Sequence, residues 1–124
     1  MTRQTTSLMS TAALLLGLSG AAALAQTESV DFRLTPSKSN PTSCTTLDAS
    51  LSRVHTVTLM GEKAHIKSAG GVNDDLKAAG AQVYKTNFSL GGVTLQVTAN
   101  AGAKPRSLQV VEPKLGCKWD AITP

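Results

Sequence analysis

The 124-residue sequence predicts an all-β fold: a small antiparallel sandwich or barrel of about six strands, with at most one short helix, stapled by one disulfide bond. Three observations support this prediction. Several short segments alternate apolar and polar residues, which is the period of a half-buried strand. Turns rich in glycine separate these segments at close spacing, as in small sandwiches and barrels. The chain also contains a single pair of cysteines, Cys44 and Cys117.

The first 25 residues have the pattern of a secretory signal peptide. Arg3 supplies a positive start, an apolar stretch runs from residue 12 to 25, and Ala23 and Ala25 are the small residues that precede a cleavage site. The alternative is an N-terminal helix or an uncleaved anchor, but about 14 apolar residues are short for a membrane span. We therefore predict cleavage before Gln26, a single β domain over residues 26–124 and a periplasmic or secreted protein.

An oxidising compartment gives the two cysteines a structural meaning. Cys44 and Cys117 are 73 residues apart, and the chain-entropy model assigns a disulfide across such a loop roughly 4 kcal/mol. The alternative is a reactive thiol or metal pair, but neither cysteine lies in a Cys-x-x-Cys motif or near clustered histidines. Because aromatic residues are only 3% of the chain, the core is built mainly from Val, Leu and Ala, and a small core of this kind benefits from a staple.

The clearest β-hairpin is predicted over residues 83–99, with Gly91 and Gly92 as its turn. Two glycines provide the positive φ angles that a tight hairpin turn requires. With these residues as the loop, apolar residues pair on one face and polar residues on the other, Thr86 excepted. The apolar-face pairs are Leu90 with Val93, Phe88 with Leu95, Thr86 with Val97 and Tyr84 with Ala99, and the polar-face pairs are Ser89 with Thr94, Asn87 with Gln96 and Lys85 with Thr98.

A second hairpin is predicted from strands 54–60 and 63–68, with Gly61 and Glu62 between them. This register again separates a buried face from a wet face. The buried face pairs Leu59 with Ala64 and Val57 with Ile66, and the wet face pairs Thr58 with His65 and Thr56 with Lys67.

Four further segments complete the predicted fold. Residues 30–34 and 107–112 are short strand candidates. Residues 46–51 also alternate and are assigned to a strand, with a helical turn through Leu47, Leu51 and Val54 as the alternative. Residues 73–80 are assigned to a short helix, because Asn73 is a suitable cap, two aspartates follow it and Gly80 suits the C-terminal end.

Residue patterns that support catalysis or metal binding are weak in this chain. In the predicted hairpin His55 and His65 point to opposite faces, so they do not form one metal site. Asp74 and Asp75 lack the spaced ligands and the closing glutamate of a calcium loop. No Gly-x-Ser-x-Gly motif is present, and both cysteines are assigned to the disulfide. We therefore predict no catalytic, cofactor-binding or metal-binding residue and no enzymatic activity.

The distribution of basic residues suggests one candidate binding surface. Lys and Arg number 12 against 8 Asp and Glu, for a formal net charge of +4. The four aromatic residues are not interleaved with basic runs, so a nucleic-acid partner is not expected. If the two hairpins are neighbours in one sheet, their outward positions form a mildly basic stripe. Its members are Lys63, His65, Lys67 and Lys85, and the alternative is an ordinary solvated sheet face.

These observations lead to an expectation about function at the level of class. We expect an exported, non-enzymatic binding or accessory module of the cell envelope or extracellular space. A basic stripe would suit an anionic envelope polymer or an acidic protein. The first alternative is a carrier that holds a small apolar ligand inside a barrel, which requires a hollow interior. The second alternative is a small hydrolase, which requires a nucleophile within hydrogen-bond reach of a base.

Overall fold

The computed structural model describes residues 27–123, which form a nearly closed antiparallel barrel with one short helix. The predicted signal peptide and its cleavage site lie outside the described residues. The elements in chain order are β1 (Glu28–Arg33), β2 (Thr35–Pro36), a 3₁₀ turn (Thr42–Cys44), α1 (Thr45–Leu51), β3 (Val54–Leu59), β4 (Lys63–Lys67), β5 (Asn73–Ala78), β6 (Val83–Leu90), β7 (Val93–Asn100), β8 (Ser107–Glu112) and β9 (Cys117–Ile122).

The strand order explains how the sheet curls. It runs β1-β3-β4-β5-β6-β7-β8-β9-β2, and every neighbouring pair is antiparallel. Because β1 and β2 are separated by Leu34 alone, the first and last strands of the sheet belong to one continuous segment. The two sheet edges are therefore brought together, and the predicted all-β class is confirmed with nine strands rather than about six.

Both predicted hairpins are confirmed in their register. In β6 and β7 the pairs run from Val83 opposite Asn100 to Leu90 opposite Val93, with Gly91 and Gly92 between them at φ +59° and +83°. In β3 and β4, Leu59 lies opposite Ala64 and Thr56 lies opposite Lys67. Alternation and turn chemistry act on the same few residues here, so the local sequence is sufficient to specify the pairing.

The helix predicted over residues 73–80 is wrong, because Asn73–Ala78 form strand β5. Asn73, Asp75 and Lys77 face outward, while Leu76 is fully buried. Strand β5 pairs with β4 over five residues and then with β6 at Lys77 and Ala78. As a strand, this segment gives hydrogen-bond partners to the backbone groups at the edges of β4 and β6. A short helix in the same place would leave those two edges without partners.

The strand favoured for residues 46–51 is also wrong, and the helical alternative is correct for Leu47 and Leu51, whereas Val54 is exposed and begins β3. Leu47 and Leu51 are four residues apart and both are buried, which is the spacing of one helical face. The guanidinium of Arg53 donates two hydrogen bonds to the carbonyl of Ala49, at 2.9 and 2.6 Å. These contacts satisfy a carbonyl at the end of a seven-residue helix that is too short to be stable alone.

Strand β9 was missed in the sequence, although its alternation is regular. Cys117, Trp119 and Ala121 are buried, and the residues between them are exposed. Strand β8 has the predicted bounds, and β1 begins two residues earlier than predicted and ends at Arg33. With β9 in place, the last segment of the described chain is part of the sheet rather than a tail beside it.

The predicted disulfide joins Cys44 to Cys117 with a Cα–Cα distance of 5.9 Å, and it ties the start of α1 to the start of β9. Trp119 is fully buried on β9, and its Nε1 donates to Oδ1 of Asp48 on α1 at 2.8 Å. We call α1, β9, their disulfide and the adjacent His55 the stapled flank. Two independent links, one covalent and one a hydrogen bond, hold the helix against the barrel.

Candidate anion-binding face

Three lysines form a row across three neighbouring strands. Lys63 on β4 lies opposite Lys77 on β5, and Lys77 lies opposite Lys85 on β6. All three side chains are exposed, because each alternates with a buried residue: Ala64, Leu76 and Tyr84 respectively. Strands in a sheet are about 4.8 Å apart, so the row extends about 10 Å from its first Cα atom to its last.

The predicted basic stripe is wrong in the order of its strands. The two hairpins that carry it are not neighbours, because β5 lies between β4 and β6. Lys77 was not among the predicted residues, since its segment had been assigned to a helix. The alternation of Asn73, Asp75 and Lys77 around Leu76 was the signal that would have identified it. Lys77 connects Lys63 to Lys85, so the basic surface is continuous across the three strands.

His65 lies on the same surface, one outward position along β4 from Lys63. Its Nδ1 is 2.7 Å from Oδ1 of Asp75 and its Nε2 is 2.6 Å from Oδ1 of Asn73, both on β5. The hydrogen bond from His65, together with its charge and that of Lys63, holds the pKa of the Asp75 carboxyl below its ordinary value. The one carboxylate on the outer face of β5 is therefore ionised and bound to an imidazole.

Lys67 completes the surface at the far end of β4. It is exposed and lies opposite Thr56 on β3 and Asn73 on β5. The hydroxyl of Thr56 in turn donates to Asp31 on β1 at 2.7 Å. We call the outward side chains of β4, β5 and β6 the lysine face, and its basic members are Lys63, His65, Lys67, Lys77 and Lys85.

The lysines of this face have no ionic partner among residues 27–123. The ion pairs in that range are His65 with Asp75 and Arg106 with Glu28, so none of the four lysines has a carboxylate within 4.0 Å. Like charges directly opposite each other on neighbouring strands destabilise the pairing. The row therefore concentrates positive charge that no carboxylate within residues 27–123 pairs directly.

His55 contrasts with His65, although both belong to the β3–β4 hairpin. His55 is fully buried, and its Nε2 donates to the carbonyl of Leu51 at 2.9 Å. Its Nδ1 has no partner in the described structure. Burial lowers the pKa of His55, and the field of Arg53 acts in the same direction against the bond to Leu51. His55 is therefore a neutral core residue that holds the end of α1.

A row of polar residues contains the side-chain types of a hydrolase site, but it lacks a hydrogen bond between a hydroxyl nucleophile and the imidazole base. Ser29, Thr58, His65 and Asp75 lie opposite one another on consecutive strands. The hydroxyls of Ser29 and Thr58 are 3.1 Å apart, whereas the two nitrogens of His65 both contact β5. A nucleophile is activated when a base accepts its proton, and neither hydroxyl is hydrogen-bonded to the imidazole here.

The interior of the barrel is filled by side chains. The void beneath β1, β3 and β7, next to Phe32 and Val57, measures about 10 Å³, room for a single water molecule. A larger open cleft of about 700 Å³ lies at one end of the barrel beside Tyr84. Its polar groups bind one another: the Tyr84 hydroxyl donates to Gly61, and the guanidinium of Arg106 binds both carboxylate oxygens of Glu28. Neither space is a hollow apolar interior for a carried ligand.

Neither a membrane-spanning helix nor a metal-binding cluster is found within residues 27–123. No helix in this range is long and apolar enough to cross a membrane. No three His, Cys, Asp or Glu residues in the same range converge in a way that would hold a metal ion. The fold therefore defines a small, disulfide-stapled antiparallel barrel with a basic outer face. Comparison with protein families, characterised proteins and solved structures finds no match for the chain.

Proposed function

We propose that this protein is an exported, non-enzymatic binding module whose lysine face contacts a linear anionic polymer of the cell envelope or extracellular space. The observation that carries this proposal is the row of Lys63, Lys77 and Lys85 in register on three neighbouring strands. A polymer that crosses these strands presents a negative group to each lysine in turn. The disulfide between Cys44 and Cys117 agrees with an oxidising location.

Charge repulsion supplies the physical reason for binding. The three ammonium groups have no carboxylate within 4.0 Å in the described part of the chain, and the backbone register holds them side by side. An anion placed between them replaces repulsion with attraction and releases its own counterions. Each lysine that faces an anionic surface contributes about 1 kcal/mol at moderate salt, so three together are sufficient for measurable affinity.

The lysine face is suited to recognise the charge of a partner rather than its nucleobases or sugar rings. Of the four aromatic residues, Phe32, Tyr84 and Trp119 are buried and Phe88 packs against the core. Bases and sugar rings are held in other proteins by stacking on exposed aromatic side chains, which this face lacks in the described structure. The partner that suits it is therefore a polymer defined by regularly spaced sulfate, phosphate or carboxylate groups.

A titration with fluorescent dextran sulfate tests this proposal. We expect the exported protein to bind the polymer at 50 mM salt, with affinity that falls steeply as salt rises past about 0.15 M. Exchanging Lys63, Lys77 and Lys85 for Gln should weaken binding roughly 10- to 100-fold. Binding measured by fluorescence anisotropy reports both effects.

The matched control removes the same number of charges from other surfaces. Lys38, Lys114 and Lys118 are exposed and lie outside the lysine face, so their triple exchange for Gln leaves the row intact. We expect this control to lose less than threefold in affinity, because net charge alone acts weakly at a distance in salt. Equal losses in the two triple variants would overturn the proposal. Tighter binding to phosphatidylglycerol vesicles than to dextran sulfate would overturn the choice of a linear polymer as the partner.

A further inference from the structure

The lysine face contains one imidazole among its ammonium groups. Strand β4 presents Lys63, His65 and Lys67 at alternate positions, so their Cα atoms are about 6.6 Å apart along the strand. Imidazole changes its charge between pH 5 and 8, whereas lysine keeps its charge throughout that range. The middle position of this column is therefore an imidazole between two ammonium groups.

The charges around His65 define the effect of that change. On β5, Asp75 lies opposite it with Lys77 at the diagonal position, and on β4 its neighbours are Lys63 and Lys67. On β3 the residues that face it are Thr56 and Thr58, which carry no charge. When His65 is neutral, the negative Asp75 separates Lys67 from the lysine row. When it is protonated, the imidazolium offsets that carboxylate.

The hydrogen bonds of the ring fit the protonated form. Both nitrogens face oxygen atoms, Asp75 Oδ1 at 2.7 Å and Asn73 Oδ1 at 2.6 Å, and only an imidazolium donates to two acceptors at once. The same bond keeps the pKa of Asp75 below its ordinary value, so the carboxylate stays charged beside the ring. With its side chain 32% exposed, His65 lies within reach of a bound polymer.

We propose that His65 makes the binding of polyanions pH-dependent, because its imidazolium joins Lys67 to the row of Lys63, Lys77 and Lys85. This inference rests on the proposed function. Affinity rises as the pH falls and His65 gains a proton, and it declines as the proton is lost. By linkage, the bound polyanion favours the charged imidazole, so binding below neutral pH takes up protons.

Binding of dextran sulfate between pH 5.5 and 7.5 tests this inference, since sulfate esters keep their charge over that range. For the exported protein we expect affinity to rise roughly threefold to tenfold from pH 7.5 to 5.5, the effect of about one added charge. His65→Gln should bind weakly with little dependence on pH. His65→Lys should bind tightly with little dependence on pH, which shows that charge, rather than ring shape, is responsible.

His55→Gln is the matched control, because His55 and His65 are the two histidines of the chain. This variant keeps the exposed imidazole and should keep the pH dependence, and circular dichroism at each pH confirms that every variant is folded. If the His65→Gln protein retains the full pH dependence, or the parent binds through its lysines with constant affinity, the inference is overturned and the proposed function stands. If the parent binds dextran sulfate at no pH, the proposed function is overturned as well.

Discussion

The stapled flank and the lysine face use charged and polar side chains in opposite ways. On the flank, Cys44, Cys117 and Trp119 are at most 1% exposed, and the indole nitrogen of Trp119 is hydrogen-bonded to Asp48. On the face, Lys63, Lys77 and Lys85 are exposed and have no ionic partner within the described range. The comparison indicates that the flank supplies stability and the face supplies charge. Substitutions should therefore separate stability from binding.

The two histidines show the same difference within a single hairpin. His55 is buried in the flank and remains neutral, because burial disfavours its charged form. His65 lies on the face between two oxygen atoms of β5 that suit a charged ring. His65 lies opposite Thr58, which is three positions from His55 along β3, so strand alternation alone places the two imidazoles on opposite faces.

The largest effect on stability is expected from removal of the disulfide. Replacing Cys44 and Cys117 with Ala should lower the free energy of unfolding by about 4 kcal/mol, because the cross-link limits the unfolded chain over a separation of 73 residues. Denaturant titration followed by tryptophan fluorescence measures this loss, since Trp119 lies next to the staple. The parent protein under reducing conditions is the control and should lose a similar amount. A loss below about 1 kcal/mol would contradict the role of the flank.

A smaller effect on stability is expected from pH through His55. Its pKa in the folded state is lowered, so between that value and the unfolded value of 6.5 the unfolded chain binds more protons. Stability should therefore fall as the pH drops below 6.5, by no more than about 1.4 kcal/mol per pH unit for one proton. Urea titrations at pH 7.5 and 5.5 measure the change. His55→Gln should reduce it and His65→Gln should not; the reverse result would exchange the roles of the two histidines.

The smallest effect on stability is expected from the lysine row. Exchanging Lys63, Lys77 and Lys85 for Gln should change the free energy of unfolding by no more than about 0.5 kcal/mol per site, because the side chains are exposed. The direction should be a slight gain, since the exchange removes like charges that lie opposite each other. Thermal unfolding compared with the Lys38, Lys114 and Lys118 control measures it. A large loss would mean that the row is part of the stabilising framework.

Much of the fold was predictable from short segments of the sequence. In the β6–β7 hairpin, alternation over eight residues on each side and two turn glycines specify one register, and that register is the observed one. The Cys44–Cys117 disulfide was predictable because only one pairing exists. The positions of Lys63, His65, Lys67 and Lys85 on outward strand positions followed from the same alternation.

Other features depended on neighbours that are distant in sequence. The segment from Asn73 to Ala78 has the local marks of a capped helix, but the open edges of β4 and β6 give it two backbone partners. The segment from Thr45 to Leu51 is helical because Cys117, Trp119 and Arg53 hold it in place. Each of these contacts forms only when the barrel is assembled, so local propensity was a poor guide there.

The sequence by itself determined which residues alternate, where the tight turns fall and which cysteines pair, because each of these depends on residues close together or on a single available partner. Tertiary structure decided that β5 lies between the two hairpins and that Lys77 connects their basic residues. It also placed Asp75 and Asn73 on the two nitrogens of His65. The physical reason is that hydrogen bonding between strands is satisfied over the whole sheet, whereas a sequence pattern describes one strand at a time.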